Sequence, residues 1–541
     1  MSVQDQIQWN RLISIVEEQA QALIRTAFST SVREAGDLSA GIYDRRGRML
    51  AQAVTGTPGH VNAMAAAVAH FIREIGEPTM REGDVYVTND PWMGTGHLHD
   101  ITVTTPVFHG GALVGFFACT AHVVDIGGRG FGADGESVYE EGLQIPILRF
   151  ADKGEVNQTL LQMLRVNTRE PDQVIGDLYA LAACNEVGLR RLRAMLDEYA
   201  LADIESLADF IIDASHTATV AAIARLPRAT ASNAMTTDGY ATPIRLACTV
   251  TTHDDHVLVD FAGTSAPDPK GINVPFIYTC AYAAYALKIV LAPEVPNNAG
   301  SLAPFRVTAP ENTIVNARRP HPVALRHVIG HLIPDTVFGA LDQILPNTVP
   351  AEGAGALCNF QVSLRGQDGE RSEVLTFNSG GTGARPTLDG LNATAFPSGV
   401  MTMPVEATEH AGPIVIYAKE LRPDSGGAGR TRGGLGQFME VGPREGYAME
   451  FRAQLDRKAF PARGRDGGAP GGPTVVQLSD GTDFPAKARF AVPSGQTVKL
   501  AFPGGGGLGS PSKRDLQAVA RDVRLGYITE EAAKRDYGWQ P

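Results

Sequence analysis

Apolar residues near the start of the chain recur at helical spacing: Trp9, Leu12, Ile13, Val16, Ala20, Leu23, Ile24 and Ala27 step by three and four. Such a stripe buries one face of a helix, so the spacing predicts a helix over 9–27, closed by Gly36. Residues 39–53 read as two short strands about the turn Asp44-Arg45-Arg46-Gly47. A Pro58-Gly59-His60 turn then precedes a helix of small residues over 62–75, and a strand follows over 84–88. Helical periods return over 157–226, with the firmest runs at 178–196 and 204–226. After Pro227 the pattern turns to alternation, and runs at 244–251 and 257–261 flank the polar turn His253-Asp254-Asp255-His256 as in a β-hairpin. A helix over 323–345 interrupts this β texture. From 378 onward glycine clusters dominate, and helices over 512–523 and 529–537 end the chain.

These elements predict a mixed α/β (α+β) fold in three parts: an N-terminal α/β domain over 1–230, a β-rich middle domain over 231–375, and a Gly-rich C-terminal domain over 376–541 that ends in helices. A chain of 541 residues with 43% hydrophobic and 20% charged residues can bury several cores, which excludes general disorder. The 47 Lys+Arg against 59 Asp+Glu leave a net charge of -12, which repels phosphate backbones and anionic lipids. Neither nucleic acid nor a membrane is therefore an expected partner. Five scattered cysteines, Cys119, Cys184, Cys248, Cys280 and Cys358, read as reduced core residues and point to the cytoplasm.

The densest chemistry lies between Asn89 and Gly128. The stretch Asn89-Asp90-Pro91-Trp92-Met93-Gly94-Thr95-Gly96-His97-Leu98-His99-Asp100 sets two histidines and two aspartates among turn formers. The later His122-Val123-Val124-Asp125-Ile126 repeats the His-x-x-Asp-Ile spacing of His97 to Ile101. The residues between them read as a hairpin. A turn at His109-Gly110 pairs Phe108 with Gly111 and brings His97 opposite His122, with Cβ atoms ~5 Å apart, whereas a turn at Gly110-Gly111 brings His99 there instead. Either way two imidazoles meet, and a carboxylate from Asp100 or Asp125 completes a two-His, one-carboxylate site suited to Zn, Mn or Fe. Side chains alternate along a strand, so ligation by both His97 and Asp100 requires the chain to turn between them. The plainer alternative is a set of strand-end histidines hydrogen-bonded to carboxylates.

Several runs carry a resemblance. They are Gly83-Asp84-Val85-Tyr86, Asn89-Asp90-Pro91, Gly96-His97-Leu98-x-Asp100-Ile101-Thr102-Val103 and Ala121-His122-x-x-Asp125-Ile126-Gly127-Gly128, with Asp260-Phe261-x-Gly263-Thr264-Ser265, Gly383-Ala384-Arg385-Pro386 and Asp424-Ser425-Gly426-Gly427 further on. Through them the chain resembles the hydantoinase B/oxoprolinase family over essentially its whole length. The resemblance places metal binding on His97, Asp100 and His122. Two positions depart from the family pattern: His99 stands where members usually have Pro, and Val123 where they usually have a second His. His99 is thus an added ligand or a substrate contact.

The resemblance also implies a hetero-oligomer with a hydantoinase A-type subunit that binds ATP. No GxxxxGK[ST] loop occurs here, so the glycine clusters read as turns and ATP is expected on the partner. The implied activity is that of a metal-dependent catalytic component that opens a small cyclic amide, whether hydantoin, oxoproline or lactam, once the partner has phosphorylated the amide oxygen. Asp37 or Asp100 would take the proton from water. The alternatives are a subunit of an ATP-dependent ketone carboxylase and a non-catalytic structural subunit. Asp37 and His60 read either as catalytic or substrate-site groups or as turn residues. Asn89, Asp90 and Asp125 read as turn formers or supports for the ligands. His327 and His331 have a metal-capable spacing but read as surface or core histidines, Arg326 and Arg385 read as salt-bridge partners or holders of a phosphate or carboxylate, and Glu406, Glu409 and His410 as solvated or as reaching the same cavity.

Overall fold

The computed structural model describes residues 3–54, 57–355 and 357–541. The N-terminal part is built on strands β1 (Leu38–Asp44), β2 (Met49–Gln52), β3 (Val85–Thr88), β4 (Asp100–His109), β5 (Ala112–His122), β6 (Leu148–Asp152) and β7 (Glu155–Val156), in the sheet order β2-β1-β5-β4-β3-β6-β7. Its helices are α1 (Val3–Thr26), α2 (Thr30–Arg33), α3 (Pro58–Ile75), α4 (Gln158–Asn167), α5 (Pro171–Glu198) and α6 (Glu205–Ile223). Strand alternation decides the layers. Phe117 packs with Trp9 and Leu12 of α1 and Leu192 of α5, while its neighbour Phe116 packs with Val61, Met64 and Phe71 of α3 on the other face.

Local detail departs from the sequence expectations in three places. The short helix α2 stands between the first helix and Gly36. The Pro58-Gly59-His60 segment is the first turn of α3 rather than a free turn: Thr57 caps it by accepting from the His60 N–H, and Pro58 sits where a missing N–H costs nothing. The β4–β5 hairpin turns at Gly110-Gly111, both at positive φ. A bulge then makes Val114 an extra residue, since Phe108 pairs with Leu113 but Val107 with Gly115. Beyond the bulge His122 faces Asp100, so neither expected register forms. His97 and His99 precede β4 in a turn, which is the bend that joint ligation by His97 and Asp100 requires.

The middle part holds β8 (Thr230–Thr237), β9 (Ile244–Thr252), β10 (Val257–Asp260) and β11 (Phe305–Thr308), in the order β11-β10-β9-β8. Against them lie α7 (Phe276–Leu291), α8 (Ala299–Leu302), α9 (Arg326–Gly330) and α10 (Ile333–Ile344). Helix α7 escapes a reading by periodicity because it is apolar nearly all round. The expected helix over 323–345 is broken at His331 and Leu332, with Pro334 in the first turn of α10.

Two four-stranded antiparallel sheets follow, opened by β12 (Asn359–Gly366), and helices α11 (Val405–Ala411), α12 (Leu516–Arg524) and α13 (Glu530–Tyr537) complete the chain. The glycine clusters are backbone-on-backbone contacts more than turns. A Cβ on Gly433 would come within 1.9 Å of the Gly505 carbonyl oxygen, and one on Gly505 within 1.9 Å of the Thr382 oxygen. Contacts cross the divisions at 230 and 375. One core joins Ala35 and Phe131 to Tyr278, Leu325, Phe377 and Met403. Among the described residues no helix is long and apolar enough to cross a membrane.

Candidate metal centre

Three neighbouring strands deliver polar residues to one end of the sheet. Leu38 of β1 pairs with Ala121 of β5, which pairs with Ile101 of β4, so Asp37, His122 and Asp100 lie in the next row outward. The turn before β4 swings His97 into the same place. His97 Nε2 lies 2.7 Å from Asp100 Oδ1, and His122 Nδ1 lies 3.1 Å from that oxygen and 3.3 Å from His97 Nε2. All three side chains are buried.

The hydrogen bonds fix what these atoms present. His97 Nδ1 lies 2.7 Å from the Ala324 carbonyl oxygen, which only accepts, so Nδ1 carries the hydrogen and Nε2 offers a lone pair. Burial, reinforced by the Arg326 charge, pushes His97 down to about 3 and keeps the ring neutral. A nitrogen lone pair facing a carboxylate oxygen, with no proton between them, calls for a cation. Three donors bonded at about 2.1 Å to one ion lie about 3.0–3.4 Å apart, close to the separations found, so the residues fit a divalent metal.

The second oxygen of Asp100 is occupied. Thr95 Oγ1 donates to it at 2.7 Å, Arg326 donates to it, and His60 Nε2 lies 3.0 Å away. Burial alone would raise the Asp100 carboxyl, but Arg326, His60 and His97 outweigh it and hold the group well below the usual carboxylate range. Asp100 is therefore an anion with one oxygen left to share. Arg326 also donates from Nε to the Thr95 carbonyl oxygen at 2.6 Å and lies 4.1 Å over the Tyr278 ring. It reaches this position only because residue 96 is glycine, where a Cβ would meet Arg326 Cδ at 2.4 Å and φ is +103°. His60 Nδ1 lies 3.5 Å from Asp37 Oδ1. Burial lowers His60, but Asp100 and Asp37 together more than offset that and hold it above its ordinary value.

A narrow cavity of about 20 Å³, room for water-sized guests, opens on this cluster. Its lining includes Asp37, His60, His97, His122 and Phe131 from the N-terminal part and Tyr278, Arg326, His327 and His331 from the middle part. Leu357, Asn359, Phe377 and Ser398 close it. The remaining candidates sit around this centre. The ring of His99 stacks on His122 with centroids 5.5 Å apart, and neither of its nitrogens has a hydrogen-bond partner. Asn89 holds the turn that carries His97, donating to the carbonyls of Leu98 and Leu143 and accepting from the Ile145 N–H. Asp90 caps the same turn through the Trp92 N–H and pairs with Arg319. The Asp125 carboxylate is taken by Arg169 and the Gly127 N–H, leaving Asp100 as the carboxylate among the donors.

Sequence reasoning missed the second half of the cavity. His327 and His331 are four apart on a short helical turn, a spacing with metal or ligand potential, but His97 and His122, which His327 neighbours in the fold, lie more than two hundred positions away. Phe131, Tyr278, Asn359 and Phe377 gave no signal. Arg385 and Glu409 hold backbone groups instead, the Asp389 carbonyl and the Ile416 N–H.

The fold agrees with the comparisons to known proteins. The hydantoinase B/oxoprolinase family matches residues 1–511, and the chain belongs to that family. A protein of Pseudomonas sp. (strain NS671), provisionally named as the B component of a D-/L-hydantoinase, is 30% identical, covering 98% of this chain and 94% of its own length. The crystal structure of ATP-dependent caprolactamase from Pseudomonas jessenii superposes with a TM-score of 0.90 at 26% identity, over 99% of this chain and 96% of that one. The nucleotide-free structure of acetone carboxylase shares the fold, with a TM-score of 0.87 at 20% identity over 99% of this chain and 79% of that one.

Proposed function

We propose that this chain is the metal-dependent catalytic subunit of an ATP-dependent cyclic-amide hydrolase, working in a cytoplasmic hetero-oligomer with an ATP-binding, hydantoinase A-type subunit. The observation that carries the reading is the triangle of possible ligand atoms from His97, Asp100 and His122, all within 4.8 Å of one another and buried against a cavity. These residues would hold a divalent ion, Zn, Mn or Fe. Such an ion supplies Lewis-acid chemistry, which makes water acidic enough to attack near neutral pH.

The chain's own residues do the rest. Arg326 and Thr95 fix Asp100, and the Ala324 carbonyl fixes the His97 ring, so the donors need no rearrangement before substrate arrives. Asp100 is a poor base, because its surrounding charges favour its anion. Proton acceptance falls to Asp37, which borders the cavity with its Oδ1 3.5 Å from His60 Nδ1. The buried walls keep bulk water from an activated substrate.

A ketone carboxylase is the competing reading, since acetone carboxylase shares the fold. The 30% identity to the hydantoinase B component and 26% to caprolactamase, both named for ring-opening enzymes, support hydrolysis. The test is to purify the chain with the subunits that accompany it, measure bound metal, and assay ATP use with hydantoins, lactams, and ketones plus bicarbonate. His97→Ala and His122→Ala should each lose metal and ring opening together. Bicarbonate-dependent product would move the assignment to carboxylation, and full turnover in a metal-free His97→Ala, His122→Ala double variant would leave this chain a structural role.

A further inference from the structure

The four-stranded sheet that β12 opens has one apolar face and one charged face. Ser363 and Arg365 alternate with Val362 and Leu364 along β12, and Glu450 and Arg452 alternate with Met449 and Phe451 on the strand Tyr447–Gln454. On β13 (Arg371–Thr376), Arg371 and Glu373 lie on the face opposite Val374. The apolar members pack into one core, so the charged members share the other side of the sheet. Register fixes their order: Arg365 lies directly opposite Arg371, Ser363 lies between Glu373 and Glu450, and Arg452 lies opposite Arg489. They line a groove of about 770 Å³, to which the N-terminal part adds Arg129 and Arg169.

Cations outnumber their partners here. Arg452 pairs with Glu373 and Glu450 at 3.1 and 2.9 Å, and Arg489 pairs with Glu450 and Asp134 at 3.0 and 3.2 Å. Arg129 is taken by Glu140 and Arg169 by Asp125. Arg365 and Arg371, both exposed, have no such partner: among the described residues no carboxylate lies within 4.0 Å of either guanidinium, and neither donates a hydrogen bond. The acids of the connecting turn are engaged, Glu370 by the Tyr447 hydroxyl at 2.6 Å and Asp368 by the Glu370 N–H. Glu170, also on the groove, accepts from Gln173 and from the Glu373 N–H. Arg452, only 5% exposed, keeps an Nε–H without an acceptor. Like charges directly opposite on antiparallel strands, with Cβ atoms about 4.5–5.5 Å apart, destabilise the pair, and an anion between them offsets that cost.

We propose that the groove binds a phosphate group, free or carried by a small molecule, held between Arg365 and Arg371. Two unpaired positive charges match a phosphate near neutral pH, which carries about −1.5 to −2 charges and three acceptor oxygens, whereas a carboxylate brings one charge. The planar guanidinium fork takes phosphate oxygens in bidentate pairs. The volume leaves room for an organic remainder beside the phosphate. A net charge of -12 repels anions from the chain at large, so the attraction is confined to this local surplus. No residue lining the groove lines the cavity at the metal donors, and the inference stands apart from the ring-opening reading.

The test reads each arginine separately. The full-length chain, purified with its accompanying subunits, is treated with phenylglyoxal, and modification of Arg365, Arg371 and the exposed Arg225 is followed by peptide mass spectrometry. Inorganic phosphate, phenyl phosphate or acetate is titrated in, with chloride holding the ionic strength constant. Both phosphates should protect Arg365 and Arg371 and leave Arg225 unchanged, and acetate should need at least about tenfold higher concentration. A lower midpoint for phenyl phosphate marks an organic phosphate as the ligand, and equal midpoints mark the free ion, each in support of the site. In Arg365→Gln the phosphate midpoint at Arg371 should rise at least about tenfold, the worth of one charge-assisted hydrogen bond, and Arg365→Lys should restore part of the loss. Protection no better than that of chloride, protection by acetate at the same concentration as phosphate, or an unchanged midpoint in Arg365→Gln overturns the proposal. So does resistance of both arginines to the reagent in the complex beside reactivity in the chain alone, which would make the groove a contact between subunits.

Discussion

Asp100 divides two tasks between its two oxygens. Oδ1 faces His97 and His122, and Oδ2 is held by Thr95, Arg326 and His60. The carboxylate therefore offers an ion a single oxygen in a fixed direction. Thr95→Val keeps the shape and removes one of the donors that set this direction. Loss of such a support typically costs about 10–100-fold in metal affinity, so competition against a chelator should show a drop of at least about tenfold, with urea unfolding of the chelated protein shifted by about 1–3 kcal/mol for the lost hydrogen bond. Unchanged affinity would mean that Arg326 alone orients the carboxylate. At this scale the sequence was informative where chemistry is local. Spacing brings His122 together with His97 or His99 beside Asp100 or Asp125, and the resemblance to the family points to His97, Asp100 and His122. His327 and Asn359 carry no such mark, because each gains meaning only from residues brought to it by the fold.

At the scale of elements, the same contrast has a physical cause. The first helix and the Gly110 hairpin were legible because a wet face or a positive φ restricts the choice of residue. The bulge at Val114 was not. Leu113, Val114, Phe116 and Phe117 are all buried, so a shift of one residue exposes nothing and leaves no mark in the pattern. Helix α7 is hidden for the same reason. The segment before α9 depends on a different device: Glu141 Oε1 accepts the N–H groups of Val323 and Ala324 at 2.7 and 2.9 Å, and the Ala324 carbonyl in turn orients His97. Burial pushes the Glu141 carboxyl up to about 8 from its ordinary 4.5, despite those two donors. Between these values the folded chain holds a proton that the unfolded chain releases. The stabilisation is complete below pH 4.5 and is lost as the pH rises through 8. Glu141→Gln retains the acceptor and cannot ionise. Its urea midpoint relative to the wild type should therefore rise between about pH 5 and about pH 8, by an amount on the order of a few kcal/mol. A difference that stays flat with pH would show that Glu141 is ionised in the folded protein.

Over the whole molecule, the three sequence regions are distinct in texture yet share one site. The donors His97, Asp100 and His122 all come from the first 230 residues, so a fragment ending there contains every proposed metal ligand. It lacks what holds them. Arg326 and the Ala324 carbonyl belong to the middle part. Phe131, whose ring lies 4.8 Å from His122, is pinned through its N–H to Gln361 and through its carbonyl to Gln454. Removing residues 231–541 would also strip the cover from Ala35, Phe131 and Ala133, which pack into the core shared with the later parts. An aspartate deprived of Arg326 in a buried setting is costly to keep ionised, and exposed core favours a loosened chain. The fragment 1–230 should therefore bind a hydrophobic dye, unfold without a sharp transition and fail to retain metal through gel filtration, while the full chain retains it. Coexpression with the 231–541 fragment should restore retention, because the missing contacts are supplied without a covalent link. A compact 1–230 fragment that unfolds cooperatively and holds metal as tightly as the full chain would show instead that the centre is a property of the first sheet alone, with the later parts added for substrate and partner.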